Sequence, residues 1–138
     1  MVSPVTIALT GMNAAATRIA ASSSNIANAS TTGAREGVEG PEPYTPVDVV
    51  QVGIGSNTGE LHGTKAITVD RNPATVPAFQ PDAPFADENG VVAAPNVDYG
   101  TEIIDAKTAA LAYKANAAVV KVASEMEREL LDRFDKQA

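Results

Sequence analysis

The sequence predicts an α+β protein in which two long terminal helices pack as a coiled-coil-like hairpin around a small, Pro/Gly-rich β insert. Helix-breaking residues are concentrated centrally, since eight of the nine prolines and nine of the ten glycines lie between residues 33 and 100. Both flanks repeat apolar residues at helical spacing, and the centre holds short β-branched runs. The predicted division is therefore 1–32 and 101–138 for the two helices of one helical domain, and 33–100 for the insert.

The composition limits how large a core this chain can form. Its 138 residues include 25 alanines but only three Phe, three Tyr, three Met and no Trp. Large side chains contribute most of the burial energy of a core, so the predicted packing depends on small residues. The net charge of −7 lies in the insert, because residues 1–32 carry only Arg18 and residues 101–138 are nearly neutral. Such an acidic chain is not expected to bind nucleic acid.

The first helix is predicted to run from Val5 to Asn28. Ser3 is its expected N-cap and Pro4 its first helical residue, where a missing N–H costs nothing. Apolar and small residues then recur at alternating spacings of four and three, which places them on one helix face. This N-terminal stripe consists of Val5, Leu9, Met12, Ala16, Ile19, Ser23 and Ile26.

The second helix is predicted from Glu102 to Phe134, with a stripe that repeats partly every eleven residues. Such a repeat is typical of a nearly straight or slightly right-handed helix. The C-terminal stripe consists of Ile104, Thr108, Leu111, Ala115, Val119, Val122, Met126, Leu130 and Phe134. Two interpretations of the stripes are open: they form the core of a hairpin within one molecule, or they pack between subunits.

The insert contains two strand candidates, Val47–Val52 and Lys65–Val69. The turn-rich segment Ile54–Gly59 between them favours a hairpin or small meander. Residues Asn72–Pro84 hold four prolines and are expected to run extended along a surface. A turn is predicted at Asp87–Gly90, before Val91.

No motif in the sequence reaches the specificity of an enzyme. The absence of cysteine excludes disulfides, thiol catalysis and cysteine metal sites, and the single histidine, His62, has no partner histidine. The Gly-rich segment 53–59 lacks the lysine of a phosphate-binding loop, and Asp82, Asp87 and Glu88 do not match a calcium loop. We therefore predict no enzyme activity, cofactor, metal or small-molecule substrate. No membrane span or cleavable signal peptide is recognised either.

A polar cluster ends the first helix. Asn25 and Asn28 lie three residues apart, where amides either cap the helix or fix the register of packed helices as a buried Asn does in a coiled coil. Tyr113 and Asn116 have the same spacing on the second helix and form a possible second contact face.

Three segments resemble a known family. Ser24-Asn25-Ile26-Ala27-Asn28 followed by Thr32-Gly33 closely resembles the N-terminal signature of the flagellar rod and hook family. The segment from Ala112 to Asn116, with Met126 ten residues later, resembles the paired C-terminal signature. Residues 83–92 and Pro95–Asp98 are similar to the central segment of proximal rod members. The resemblance covers nearly the whole chain.

This resemblance implies a structural subunit of the bacterial flagellar basal body, located in the periplasmic rod and exported without a cleaved signal peptide. The implied partners are other rod subunits, further copies of the chain, the flagellar type III export apparatus, and rotor ring and rod-base proteins. Two alternatives are another axial subunit of the same family and an unrelated acidic helical adaptor. The predicted subunit-contact residues are Val5, Leu9, Met12, Ile19, Asn25, Ile26, Asn28, Ile104, Leu111, Tyr113, Asn116, Val119, Val122, Met126 and Leu130.

Overall fold

The α+β prediction is confirmed by a computed structural model, which describes residues 3–55 and 61–135. Most of the turn predicted at Ile54–Gly59 lies outside the described residues. The elements in chain order are α1 (Pro4–Asn28), β1 (Val47–Gly55), β2 (Leu61–Asp70), β3 (Thr75–Phe79), β4 (Val91–Pro95) and α2 (Tyr99–Asp135). Two long helices thus flank a small antiparallel insert.

Local capping sets where each helix begins. Ser3 Oγ accepts a hydrogen bond from the Val5 amide at 3.3 Å and Pro4 occupies the first turn, as predicted. The second helix begins three residues earlier than predicted. Asp98 Oδ1 accepts a hydrogen bond from the Thr101 amide at 2.7 Å. Hydrogen bonds from the Thr101 amide and then from its hydroxyl hold the pKa of the Asp98 carboxyl below its usual range.

The two helices pack against each other through small side chains. Gly11 of α1 lies against Asn116 of α2, since a Cβ on Gly11 would stand 2.7 Å from Asn116 Oδ1. Asn25 meets Glu102 near the other end. Together these two contacts define an antiparallel register. The buried apolar residues of this helix pair are all alanines: Ala8, Ala14, Ala15, Ala21 and Ala109.

The C-terminal helix extends past the start of α1. In the register set by Gly11–Asn116 and Asn25–Glu102, Pro4 stands opposite a point near residue 123. Residues 124–135 therefore continue beyond α1 for about 18 Å at the helical rise of 1.5 Å per residue. Every residue of this overhang is exposed.

The insert consists of two antiparallel strand pairs. β1 pairs with β2, with Val52 opposite Lys65, which confirms both strand candidates. β3 pairs with β4, with Val76 opposite Ala94. The segment Asn72–Pro84, expected to run extended along a surface, therefore contains a paired strand. The sequence hid this pairing because Pro77 lies within β3, where a proline argues against a strand.

The β1–β2 hairpin packs along α1. The Thr64 amide donates to Thr10 Oγ1 at 3.1 Å, which fixes one edge of the hairpin to the helix. Gly63 makes this approach possible, because its φ is 143° and a Cβ there would lie 2.4 Å from Thr10 Oγ1. The hairpin thus lies directly against α1.

The β3–β4 pair is joined to the end of α1 and to its own turn. Gly33, after α1, bridges to Ala93 of β4. The turn predicted at Asp87–Gly90 is confirmed: the Gly90 amide donates to the Asp87 carbonyl at 2.9 Å. Arg35 pairs with the Asp87 carboxylate at 2.8 Å. Among the described helices, none combines the length and apolar character needed to cross a bilayer.

Candidate subunit interface and its polar anchor

A buried amide joins three elements at the insert end of the helices. Asn25 is 1% exposed. Its Nδ2 donates to the Val47 carbonyl at 2.8 Å and to Glu102 Oε1 at 2.9 Å, while its Oδ1 accepts from the Val47 amide at 3.0 Å and the Tyr44 hydroxyl at 3.1 Å. Every donor and acceptor position of this amide is used within the chain.

A cation completes this network from the side of the insert. Arg71 follows β2, and its Nη2 donates to Glu102 Oε1 and to Asp48 Oδ1, each at 2.7 Å. Its Nη1 donates to the Asn96 carbonyl at 2.8 Å. The hydrogen bond to Asp48, with a further one to Glu102, raises the pKa of Arg71 against the opposing effect of burial.

We call Asn25, Tyr44, Asp48, Arg71 and Glu102 the polar anchor. Glu102 is 2% exposed, and a carboxylate at that depth is stable only when it is paired and hydrogen-bonded. Within the described residues, no buried side-chain nitrogen or oxygen lacks a hydrogen-bond partner. The anchor therefore holds the insert at a fixed orientation on the helices.

The other predicted polar residues lie apart from the anchor. Asn28 Nδ2 donates to the Ser24 carbonyl and Asn116 Nδ2 to the Ala112 carbonyl, each one turn back along its own helix. Both side chains are half-buried, and Tyr113 is exposed. The sequence therefore pointed to four polar positions, of which the structure brings one, Asn25, into the anchor.

The predicted apolar stripes remain largely outside the helix pair. On α2 the whole stripe is exposed, with Leu111 at 67% and Met126 at 61%. On α1, Leu9 is 46% exposed, and Val5, Met12, Ile19 and Ile26 are half-buried. Of the two interpretations of the stripes, the hairpin core within one molecule does not match α2. The alanine and glycine face next to each stripe forms that contact instead.

The structure adds features that sequence reasoning missed. Tyr44, Arg71 and Glu102 gave no periodic signal, because the anchor joins residues as far as 77 positions apart. A row of exposed cations, Lys107, Lys114, Lys121 and Arg128, borders the apolar stripe of α2 at intervals of seven. That spacing was visible in the sequence and matches the flanking positions of a coiled-coil seam.

The candidate site is a contact surface. The described residues contain no group of three His, Asp or Glu side chains placed to hold a metal. His62 lies half-buried in β2, and the Asp87 carboxylate is engaged by Arg35 and by the Asn89 and Val91 amides. A helical pair with a small-residue seam and exposed apolar faces is typical of a structural assembly subunit.

Comparison with known proteins places this subunit in a family. A family model described as flagella basal body rod protein matches residues 6–35, which include all of α1 except Pro4 and Val5. The flagellar basal-body rod protein FlgC of Agrobacterium fabrum is 33% identical over 131 residues, 91% of this chain and 89% of the relative. FlgC of Yersinia enterocolitica is 33% identical, with 83% of each chain covered, and FlgC of Salmonella typhimurium is 32% identical, with 87% of each covered. The chain belongs to the flagellar basal-body rod protein FlgC family.

Proposed function

We propose that this protein is a structural subunit of the proximal rod, which assembles with copies of itself and with other rod subunits into the torque-transmitting axle of the flagellum. The observation that carries the proposal is the exposed apolar stripe of α2, from Ile104 to Phe134. Burial of such a surface contributes about 25 cal/mol for each Å² removed from water. A subunit that leaves this face open gains that stabilisation on assembly.

The contact surface follows from exposure. We infer that Leu9, Ile104, Leu111, Val119, Val122, Met126 and Leu130 bury apolar area against neighbouring subunits, with Tyr113 beside them. Val5, Met12, Ile19, Ile26, Asn28 and Asn116 are half-buried and contribute at the edges of that surface. Asn25 acts indirectly, because its amide is fully engaged in the polar anchor and orients the helices.

The remaining parts of the proposal follow from family membership and composition. The helical domain comprises 1–32 and 101–138, and 33–100 forms the insert. The protein lies in the periplasmic part of the basal body and is exported by the flagellar type III apparatus without a cleaved signal peptide. Rotor ring and rod-base proteins are its further neighbours. It is not an enzyme and takes no cofactor, nucleic acid or small-molecule substrate.

The test compares two variants that remove exposed apolar area. Leu111→Gln lies on the α2 stripe, whereas Phe79→Gln lies in β3 and is 73% exposed in the wild type. Each is expressed in a strain lacking the native gene, and basal bodies are isolated and probed for the chain. We expect Leu111→Gln to reduce incorporation and swimming while Phe79→Gln leaves both unchanged. Circular dichroism of the purified variants checks that both are folded.

Two results would contradict the proposal. If deletion of the gene left the rod complete, the chain would not be a rod subunit. If Leu111→Gln and Phe79→Gln were incorporated equally well, the α2 stripe would not be the assembly surface.

A further inference from the structure

The β1–β2 hairpin has an apolar face that no described part of the chain covers. Residues opposite each other in an antiparallel pair lie on the same face of the sheet, and Val50 stands opposite Ile67, Val52 opposite Lys65. The other face carries Gln51, which lines a cavity together with Thr10 and Gly11 of α1. The outward face therefore presents Val50, Val52, Ile54, Ile67 and Val69, which are 38–48% exposed.

Such a face is unusual for a sheet that meets water. A two-stranded sheet packed on one side normally alternates apolar inward residues with polar outward ones. Here the inward positions hold Gln51 and Thr64 beside Val47 and Val49, and the outward positions hold five apolar β-branched residues. An exposed apolar patch of this kind marks an interaction surface.

A second apolar surface is a groove at the place where α2 extends past the first residues of α1. It encloses about 580 Å³, and its apolar lining includes Val5, Val119, Val122, Met126 and Leu130. The groove spans about 16 Å along α2 between Val119 and Leu130 at 1.5 Å per residue. The outward hairpin face spans about 13 Å between Val50 and Ile54 at 3.3 Å per residue. The two surfaces are therefore similar in length.

The charges beside the two surfaces are opposite. Lys65 is exposed on the outward hairpin face next to Val52, and Glu127 lines the groove. Within the described residues, neither side chain forms a salt bridge. Among the described residues, each apolar surface thus carries a charge without an ion-pair partner, and the two charges are opposite in sign.

We propose that the occupant of the groove is the outward face of the β1–β2 hairpin of a second copy of this chain, with Lys65 of one copy paired to Glu127 of the next. This inference rests on the proposed function, because it names one contact within the rod. The contact is heterologous: a different surface is used on each side. Contacts of this kind generate an open helical series when the rotation between successive copies does not close into a ring.

The absence of cysteine from the sequence makes the contact testable by disulfide formation. A variant carrying both Lys65→Cys and Glu127→Cys is expressed in place of the wild type, and isolated basal bodies are treated with a mild oxidant. We expect dimers and longer disulfide-linked series on a non-reducing gel. The matched control carries Lys107→Cys and Glu127→Cys, so that the cysteine at position 127 is kept and the other replaces an exposed lysine of α2. This control is expected to stay monomeric.

Charge reversal provides the second measurement. Each single variant, Lys65→Glu or Glu127→Lys, should lower incorporation about threefold, which corresponds to the energy of a surface ion pair. The double variant should recover most of this loss, because it restores a pair of opposite charges. Three results would overturn the contact. The first is that oxidised basal bodies with Lys65→Cys and Glu127→Cys contain only monomers, and the second is that the control forms as many disulfide-linked species. The third is that the charge-reversal double variant is incorporated no better than the single variants. A wild-type chain missing from basal bodies would instead overturn the proposed function.

Discussion

Asn25 Nδ2 donates to Glu102 Oε1 over 2.9 Å, and this bond joins the two terminal helices at the end next to the insert. The same oxygen of Glu102 accepts from Arg71 Nη2, so one carboxylate connects both helices to the strand that precedes Arg71. The alanine seam between the helices has few large side chains to specify a register. The polar anchor supplies that specification, as buried polar residues do in coiled coils.

Replacing Asn25 with Leu should destabilise the free subunit. Leu has as many side-chain heavy atoms as Asn but forms no hydrogen bonds, so it would leave the Val47 amide and carbonyl without their partner, whereas the Tyr44 hydroxyl keeps its bond to Ser24 Oγ. Each unpaired buried group costs about 1–3 kcal/mol, so we expect a loss of about 2–4 kcal/mol in the free energy of unfolding. Urea titration followed by far-ultraviolet circular dichroism measures it. The control is Asn28→Leu, whose amide bonds only to the Ser24 carbonyl, with an expected loss below about 1 kcal/mol. Equal losses would show that Asn25 has no special structural role.

The sequence predicted the elements because their signals are local. Ser3 and Pro4 define the start of α1, the proline and glycine distribution defines the insert, and β-branched runs define β1 and β2. Asn25 was also recognised as unusual, because an amide is unfavourable inside a helix. Its partners could not be predicted, since Glu102, Arg71 and Tyr44 converge only when the chain is folded.

The face of each helix that packs inward was harder to infer. Hydrophobic periodicity identifies the stripe of large apolar residues, and in a monomeric protein that stripe would be the core. Here the inward face of α2 contains Ala109, and Leu111 points outward. Alanine is common on both faces, so periodicity could not separate the contact within one molecule from the contact between molecules.

Removing the cation of the anchor should be more damaging than removing the cation and its buried partner together. Arg71→Met leaves Glu102 buried with no cation, and breaking a buried pair in this way costs about 3–5 kcal/mol. In the Arg71→Met/Glu102→Met double variant the uncompensated charge is gone, so we expect a loss smaller than that of Arg71→Met alone and therefore smaller than the sum of the two single losses. The free energies of unfolding of the wild type, the two single variants and the double variant give the coupling energy between Arg71 and Glu102. Additive losses would contradict the prediction.

The turn at Asp87–Gly90, between β3 and β4, should become less stable in acid. Hydrogen bonding from the Val91 amide, and then from Arg35, lowers the pKa of Asp87. Because the folded pKa lies below the unfolded value of about 3.9, this carboxylate stabilises the fold at neutral pH. That contribution is lost as the pH falls through the folded pKa.

Carboxyl chemical shifts followed by NMR test the cause of this lowered pKa. In Arg35→Gln we expect the pKa of Asp87 to rise but to stay below about 3.9, because the larger contribution, from the Val91 amide, is retained. A full return to the ordinary value would mean that the ion pair alone is responsible.

Gly11 should be replaceable by Ala only when the facing side chain is shortened. A Cβ on Gly11 would meet Asn116 Oδ1 at 2.7 Å, so in Gly11→Ala that side chain must move. Alanine is favoured over glycine inside a helix by about 1 kcal/mol. We expect this gain in Gly11→Ala measured against an Asn116→Ala background, and little or none of it in the wild-type background. Thermal unfolding of the wild type, Gly11→Ala, Asn116→Ala and the double variant measures this gain. The same gain in both backgrounds would show that the helices are not in close contact at Gly11.

Protection from amide exchange should decrease along α1 away from the polar anchor. Ser22 and Asn25 are buried and lie at the anchored end, whereas Ile7 and Leu9 are exposed at the far end, where alanines and Gly11 provide the helix contact. Local opening requires least free energy where few apolar groups are buried, so α1 should open from its start. Hydrogen exchange of the dilute free subunit, read residue by residue, is expected to be slowest over residues 21–26 and fastest over residues 5–10. In Asn25→Leu the difference between these segments should shrink, because the slow segment loses its anchor. Uniform protection along α1 in the wild type would show that the alanine seam alone holds the helices together.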